Sequence, residues 1–271
     1  GHSETISSLA FSADGAYLAT ASLDGVVRVW DGETGAAVVV LEGPTQGINW
    51  LVWHARGAVL LAGSEDTTAW MWKVPEGSVM QIFSAHSASV SYGTFANGGR
   101  AIATASEDGT VRLWNPRSGT VEHTLYAGSP QEPCAVTCLC AHPAQAILLF
   151  GSEDGKVRLA QAESGKLLSS LAAHDASVET ASFCDCLAYA ATGGMDGKLC
   201  IWDLETSSLR QTCIHPGGVV EAAWRRGSPL LFPCSVSREL RLWDARSGDC
   251  LKTLTGHADA ILCMALGYAP D

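Results

Sequence analysis

Apolar and polar residues alternate with strand periodicity along most of the chain, most plainly in AHSASVSYGTFANGGRAIATASEDGTVRLW, Ala85 to Trp114. An alternating segment from Val90 to Phe95 meets a Gly-rich turn at Asn97 to Arg100 and continues into a second run, Ala101 to Ser106. The pair Asp108-Gly109 turns the chain into a third run that ends in Trp114, and a fourth follows at Thr120 to Leu125. Short runs of this kind, bounded by Gly, Asn and Asp, predict antiparallel β-strands.

The pattern recurs. Trp30, Trp72, Trp114, Ala160, Trp202 and Trp243 fall at intervals of 42, 42, 46, 42 and 41 residues. His2, His86, His174 and His215 stand 28 residues before four of them, with Pro44 and Glu132 where the offset fails. A turn acid precedes the anchor by six residues at Asp24, Asp66, Asp108, Asp154 and Asp196, with Ser237 in the sixth copy. Two residues earlier lies a small hydroxyl, Ser22, Ser64, Ser106, Ser152 or Ser235, with Gly194 the exception. First-strand anchors recur at Phe11, Trp53, Phe95, Phe183 and Trp224. The copies span roughly 2–41, 43–83, 85–125, 127–171, 172–212 and 215–254, and GHADAILCMAL opens a partial copy over 256–271.

A period of about 40–45 residues with a GH start and a WD end resembles the WD40 repeat. The resemblance implies an all-β chain, a WD40 β-propeller of six complete four-stranded blades plus the start of another. That is one domain over 1–271, part of a seven- or eight-bladed ring and trimmed at both ends. It also implies a hydrogen-bonded tetrad within a blade: His86, Ser106, Asp108 and Trp114 match it, as do His2, Ser22, Asp24 and Trp30. The chemistry suits burial, because an indole only donates, a carboxylate only accepts and imidazole does both. Copies five and six read as partial sets, and copies two and four as broken ones. A Ser/His/Asp trio also suggests a hydrolase, but this one recurs from copy to copy, whereas a nucleophile is unique and needs an oxyanion site. No enzyme, cofactor or metal is expected.

A narrower resemblance covers nearly the whole chain. INWLVWHARGAVLLAGSEDTTAWMWKVPEG (Ile48 to Gly77), HPGGVVEAAW and RLWDARSG are similar to the angio-associated migratory cell protein (AAMP) family, as is the loss of Trp in copy four. That family includes the yeast dedicated chaperone of a basic large-subunit ribosomal protein. The resemblance implies a monomeric chaperone or assembly factor for such a protein or its N-terminal segment. The alternative is a general interaction scaffold in signalling or trafficking.

Charge sharpens the partner. The 271 residues carry a formal net charge of −11, which steers basic partners toward the molecule and disfavours nucleic acid. In WD40 propellers the top centre is lined by the residue before the turn acid and by the residue after the first-strand β-branched anchor. By position, these are Leu23, Glu65, Glu107, Glu153, Met195 and Val236, and Ser7, Asn49, Ser91, Thr137, Glu179, Val220 and Leu262. The partner-binding rim is therefore expected at Glu65, Glu107, Glu153, Glu179, Asn49 and Ser91, with Trp50 an exposed anchor for an Arg- and Lys-rich segment. Lys156 and Lys198 lie near these acids and partly offset them. Trp70 has the parity of Trp72 and is expected to pack between blades.

The ten cysteines include the pairs Cys138/Cys140 and Cys184/Cys186, at strand rather than CxxC spacing. They read as buried reduced thiols of a cytoplasmic or nuclear protein. No apolar run reaches the length of a membrane span, and the first residues lack a basic-then-apolar leader.

Overall fold

Each copy supplies four strands, and the tight turns between them require the residues found there. In the third copy Gly109 has φ +79°, and a Cβ on it would lie 2.8 Å from the Cys134 amide nitrogen. The second and sixth copies place Thr67 (φ 74°) and Arg238 (φ 70°) at that position, a backbone conformation that costs a side chain about 1 kcal/mol. The computed structural model describes residues 1–129 and 131–266. Residues 267–271, the end of the expected partial copy, lie outside them.

Sheet 1 comprises β1 (Ile6–Phe11), β2 (Tyr17–Ser22), β3 (Val27–Asp31) and β4 (Ala37–Leu41). Sheet 2 holds β5 (Ile48–Trp53), β6 (Val59–Ser64), β7 (Thr68–Lys73) and β8 (Ser78–Ser84). Sheet 3 holds β9 (Val90–Ala96), β10 (Ala101–Ser106), β11 (Thr110–Trp114) and β12 (Val121–Tyr126). Sheet 4 holds β13 (Val136–Ala141), β14 (Ile147–Ser152), β15 (Lys156–Gln161) and β16 (Lys166–Ala172). Sheet 5 holds β17 (Val178–Phe183), β18 (Tyr189–Gly194), β19 (Lys198–Asp203) and β20 (Ser208–Ile214). Sheet 6 holds β21 (Val219–Trp224), β22 (Leu230–Ser235), β23 (Leu240–Asp244) and β24 (Asp249–Leu254).

In all six sheets the strands neighbour one another in chain order. The second strand is shielded on both faces, as in β10, where every residue is buried, whereas the fourth strand is mostly exposed, as in β8 and β24. Among the described residues the one helical element is a short 3-10 turn at Asn97–Gly99.

The chain divides into two compact units, Gly1–Leu148 with Gln161–Lys166, and Leu149–Ala160 with Leu167–Asp271. In the first unit, β1 lies against β5, β5 against β9 and β9 against β13, so the first strands of successive copies are neighbours. Its core holds two clusters. Leu41, Ile48, Leu60 and Trp72 meet Ala19 and Val29, and Phe83, Val90, Ile102 and Trp114 close around Trp50. In the second unit β17 lies against β21, and Leu199, Ile201, Val219, Leu231 and Trp243 form the corresponding cluster. Full burial of each such large side chain contributes roughly 1.5–3 kcal/mol. The start of the partial copy has no regular strand, but Ile261 is buried there and the Met264 amide donates to Glu221 at 2.7 Å.

The first strands share a register irregularity just after their β-branched anchor, between Ile6 and Ser8, Ile48 and Trp50, Val178 and Thr180, and Val219 and Glu221. Such a bulge re-aims the side chain that follows it. That matters for Trp50.

Candidate partner-binding rim and the networks beneath it

Sheet 3 buries a four-residue relay. The Trp114 indole N–H donates to Thr104 Oγ1 (2.8 Å), the Thr104 hydroxyl to His86 Nε2 (2.7 Å), and His86 Nδ1–H to Asp108 (2.9 Å). In this direction every group has the partner its chemistry requires. Asp108 also accepts from the Ser87 and Thr110 amides at 3.0 and 2.9 Å. Burial alone would raise its pKa, but His86, the Thr110 hydroxyl and the Ser87 amide together hold it well below the usual carboxylate range.

Sheets 1 and 5 repeat the relay. His2 bonds Asp24 at 3.0 Å and Thr20 at 2.8 Å, and Trp30 donates to Thr20 at 3.0 Å. Against the effect of burial, the Ser3 amide and His2 bring Asp24 down to about 2. In sheet 5 His174 bonds Asp196 (3.1 Å) and Thr192 (3.0 Å), and Trp202 donates to Thr192 (2.9 Å).

Two expectations are corrected here. The bridging hydroxyl is Thr20 or Thr104, not Ser22 or Ser106, and copy five is complete. Trp114 pairs across the strands with Ile102, Trp30 with Leu18, and Trp202 with Ala190. The threonine lies two residues on in each case, at the diagonal position an indole can reach, and the serine lies four residues on. Ser106 instead donates to the Ala88 carbonyl (3.1 Å) and accepts from the Asp108 amide (3.0 Å), while Ser22 accepts from the Asp24 amide (3.1 Å). These serines fasten the turn.

The other three copies replace the relay by different means. In sheet 2, with Pro44 and Ala62 at the His and Thr positions, the Trp72 indole N–H is buried without a partner among the described residues. Trp70 stacks on Trp72 (6.0 Å, 16°), donates to Thr68 at 2.8 Å and packs, as expected, against the cluster that sheets 1 and 2 share. In sheet 4 the buried Arg158 donates to Ser152 (2.6 Å) and Asp154 (3.1 Å). Nothing in the sequence reading singled out this arginine, although a cation in the copy lacking both His and Trp is the signal that could have found it. In sheet 6 Trp243 donates straight to His215 Nε2 (3.1 Å). The proton of the neutral ring is therefore on Nδ1, which is buried without a partner among the described residues. Burial and the neighbouring Arg241 push this imidazole down to about 4.

Above the networks, the rim residues fall into three groups. Glu65, Glu107 and Glu153 are exposed, and among the described residues no hydrogen bond or ion pair engages their carboxylates. The turn aspartates beside them are fully committed, as Asp66 shows by accepting from Thr45 and Thr68. Glu179 is half-buried and accepts from the Ser177 hydroxyl. Asn49 and Ser91 are half-buried staples: Asn49 donates to Ser89 (2.9 Å) and the Val90 carbonyl (3.3 Å), and Ser91 to the Val136 carbonyl (2.9 Å). Ser7 donates likewise to the Ile48 carbonyl.

Trp50 is not an exposed anchor. It is 6% exposed, its indole N–H donates to the Val90 carbonyl at 3.0 Å, and its ring fills space that Gly63 and Gly93 leave open. A Cβ at Gly93 would stand 2.1 Å from that ring. The bulge after Ile48 turns the indole into the seam between β6 and β9.

None of the ten cysteines is in a disulfide. Cys138, Cys184, Cys200, Cys213 and Cys234 are buried, and burial pushes the last three up to about 12. Cys186, Cys250 and Cys263 are exposed, contrary to the expectation of buried thiols, because they lie in a turn, on an outer strand and in the partial copy. Among the described residues no helix is long and apolar enough to cross a membrane.

The family model described as "IFT122 first beta-propeller" matches residues 1–243. Human angio-associated migratory cell protein is 35% identical over 146 residues, which is 48% of this chain and 34% of that protein. An uncharacterized WD repeat-containing protein of Schizosaccharomyces pombe is 32% identical over 150 residues, 55% of this chain and 37% of the relative. The chain thus spans about a third of the length of these relatives.

Proposed function

The chain belongs to the WD40 β-propeller family, whose members are protein-interaction scaffolds, and we propose that it serves as a chaperone for a basic large-subunit ribosomal protein. The exposed turn glutamates hold a Lys- and Arg-rich segment, mask its charge and release it at the assembling ribosome. The observation that carries this reading is the contrast between Glu65 or Glu107 and the acids beside them. Asp66 and Asp108 spend their carboxylates on the turn, whereas the glutamates project uncommitted from adjacent copies of the first unit. In the second unit Glu153 is equally free. With a net charge of −11 these carboxylates attract cations at long range and discourage phosphate backbones. The networks do not compete with this role, since Thr20, Thr104 and Thr192 are buried and reach no substrate. Such a chaperone works in the cytoplasm, where its client is made, and in the nucleus, where the client is delivered.

A general scaffold is the second reading, favoured by one observation: the family match covers 243 residues, whereas the similarity to the human relative covers 48% of the chain. An affinity capture from eukaryotic lysate with wild type and a Glu65→Gln/Glu107→Gln/Glu153→Gln variant separates the two. At roughly 0.2–1 kcal/mol per exposed ion pair, the triple change costs about 0.6–3 kcal/mol, or about three- to 150-fold in affinity. One basic ribosomal protein, enriched by wild type, lost with the variant and weakened by added salt, supports the chaperone. Unrelated partners that ignore the triple change refute it.

A further inference from the structure

The turn that leaves β17 differs chemically from its counterparts. After the first-strand anchor, other copies place a capping side chain: the Ser12 hydroxyl donates to Asp14 (2.6 Å), His54 Nδ1 accepts from the Arg56 amide (3.1 Å) and His142 Nδ1 from the Ala144 amide (3.1 Å). The fifth copy places Cys184, Asp185 and Cys186 there. Cys184 is 1% exposed, with its sulfur against the Ser228 carbonyl at 3.9 Å, while Cys186 faces solvent. The Asp185 carboxylate also accepts from the Gly227 amide at 3.0 Å. The two sulfurs are 3.5 Å apart, and both lie within 4.8 Å of an Asp185 carboxylate oxygen.

That separation discriminates between chemistries. A disulfide brings sulfurs to about 2.05 Å. A tetrahedral ion bound at about 2.3 Å from each sulfur sets them about 3.8 Å apart, and a linear two-coordinate ion about 4.6 Å apart. The observed 3.5 Å lies nearest the tetrahedral value. We propose that Cys184, Asp185 and Cys186 form a binding site for a thiophilic divalent cation of the zinc class. The two thiols supply sulfur donors and give up their protons to solvent on binding, and the carboxylate supplies the third ligand. The exposure of Cys186 leaves a fourth, open position for water. The Gly227 amide acts as the outer partner that orients the carboxylate. Bound metal ties the β17–β18 turn to the β21–β22 turn through Asp185, a cross-link that no other copy has the residues to make.

The test uses Cd2+ alone, then Zn2+ as competitor, on the full chain reduced with a phosphine and stripped with a chelator. Wild type is expected to take up one Cd2+ with near-ultraviolet sulfur-to-metal absorption, and to release it to Zn2+. Cys186→Ser, at an exposed position where folding is undisturbed, should weaken uptake at least tenfold, Asp185→Asn should weaken it measurably, and Cys184→Ser/Cys186→Ser should abolish the absorption. Cys250→Ser and Cys263→Ser should bind as wild type does. The proposal is overturned by no uptake, by undiminished absorption in the double variant, or by a reduced chain that re-forms a disulfide between the two sulfurs with Cd2+ in excess.

Discussion

Sheets 3 and 6 share one plan and differ in the polar residues around the tryptophan and histidine. In sheet 3 the order indole, hydroxyl, imidazole and carboxylate closes each donor of the relay on an acceptor. In sheet 6 Pro233 stands for the threonine, Ser237 for the aspartate, and Pro216 for the residue whose amide would bind that aspartate. Trp243 and His215 then meet directly at 3.1 Å, and a buried N–H is left over. The loss is coordinated: without a carboxylate the preceding amide has no role, and a proline there costs nothing further. The apolar anchors are retained in both sheets, so the fold tolerates removal of the polar relay while the tryptophan packing remains.

The largest expected effect comes from deleting the acid where it is used. Asp108→Ala leaves His86 Nδ1–H, the Ser87 amide and the Thr110 groups without their acceptor, and breaking a buried pair of this kind costs about 3–5 kcal/mol. Ser237→Ala at the matching position removes one hydroxyl whose partner is Ser235 at 3.0 Å, for a cost of about 1 kcal/mol or less. Urea unfolding of both variants checks the difference. Equal losses would show that the relay in sheet 3 adds nothing beyond packing.

How far the comparison was legible in the sequence depends on the residue. Period, strand number, turn acids and tryptophan anchors were all readable, because each is a fixed offset in a repeated string. The bridging hydroxyl was misplaced because Thr104 and Ser106 share a face of β10, and only the cross-strand register says which one the indole reaches. Copy five carried the clue: with Gly194 at the serine position, its complete network had to use Thr192. Trp50 was misjudged for a related reason, since strand alternation gives no sign of the bulge after Ile48. The uncommitted state of Glu65 and Glu107 was beyond the sequence, which shows a carboxylate but not the donors around it.

A smaller effect separates the two sheets by pH. His215 is held neutral, with a folded value of about 4 against the ordinary 6.5. A depressed folded value means that its contribution is fully present above 6.5 and is lost as pH falls through the window from 6.5 to 4, where the unfolded chain takes up the proton first. Wild type should therefore lose about 2 kcal/mol between pH 7 and pH 5 that a His215→Phe variant keeps. The carboxylate of Asp24, whose folded value is about 2, acts only lower, between about 3.8 and 2, where its stabilisation disappears as it protonates. Parallel stability curves for wild type and His215→Phe over pH 7 to 5 would remove His215 from the account.

Restoring the acid tests the comparison in the opposite direction. Ser237→Asp places a carboxylate where Nδ1–H of His215 lacks an acceptor, but Pro216 denies it the amide that Asp108 receives from Ser87 and Asp24 from Ser3. The bond to the imidazole is regained, but not those that Asp108 takes from the Ser87 amide and the Thr110 hydroxyl, since Pro216 and Glu239 stand at those positions. The expected gain is about 1 kcal/mol, set against the cost of bringing a charge into a half-buried turn. The imidazole should respond more clearly than the stability, since an adjacent carboxylate favours the protonated ring and raises its pKa from about 4 toward the ordinary value. NMR titration of His215 reads this directly. An unmoved titration midpoint would mean that the residue at 237 does not face His215, and that the sixth sheet has a different internal arrangement rather than a depleted version of the third.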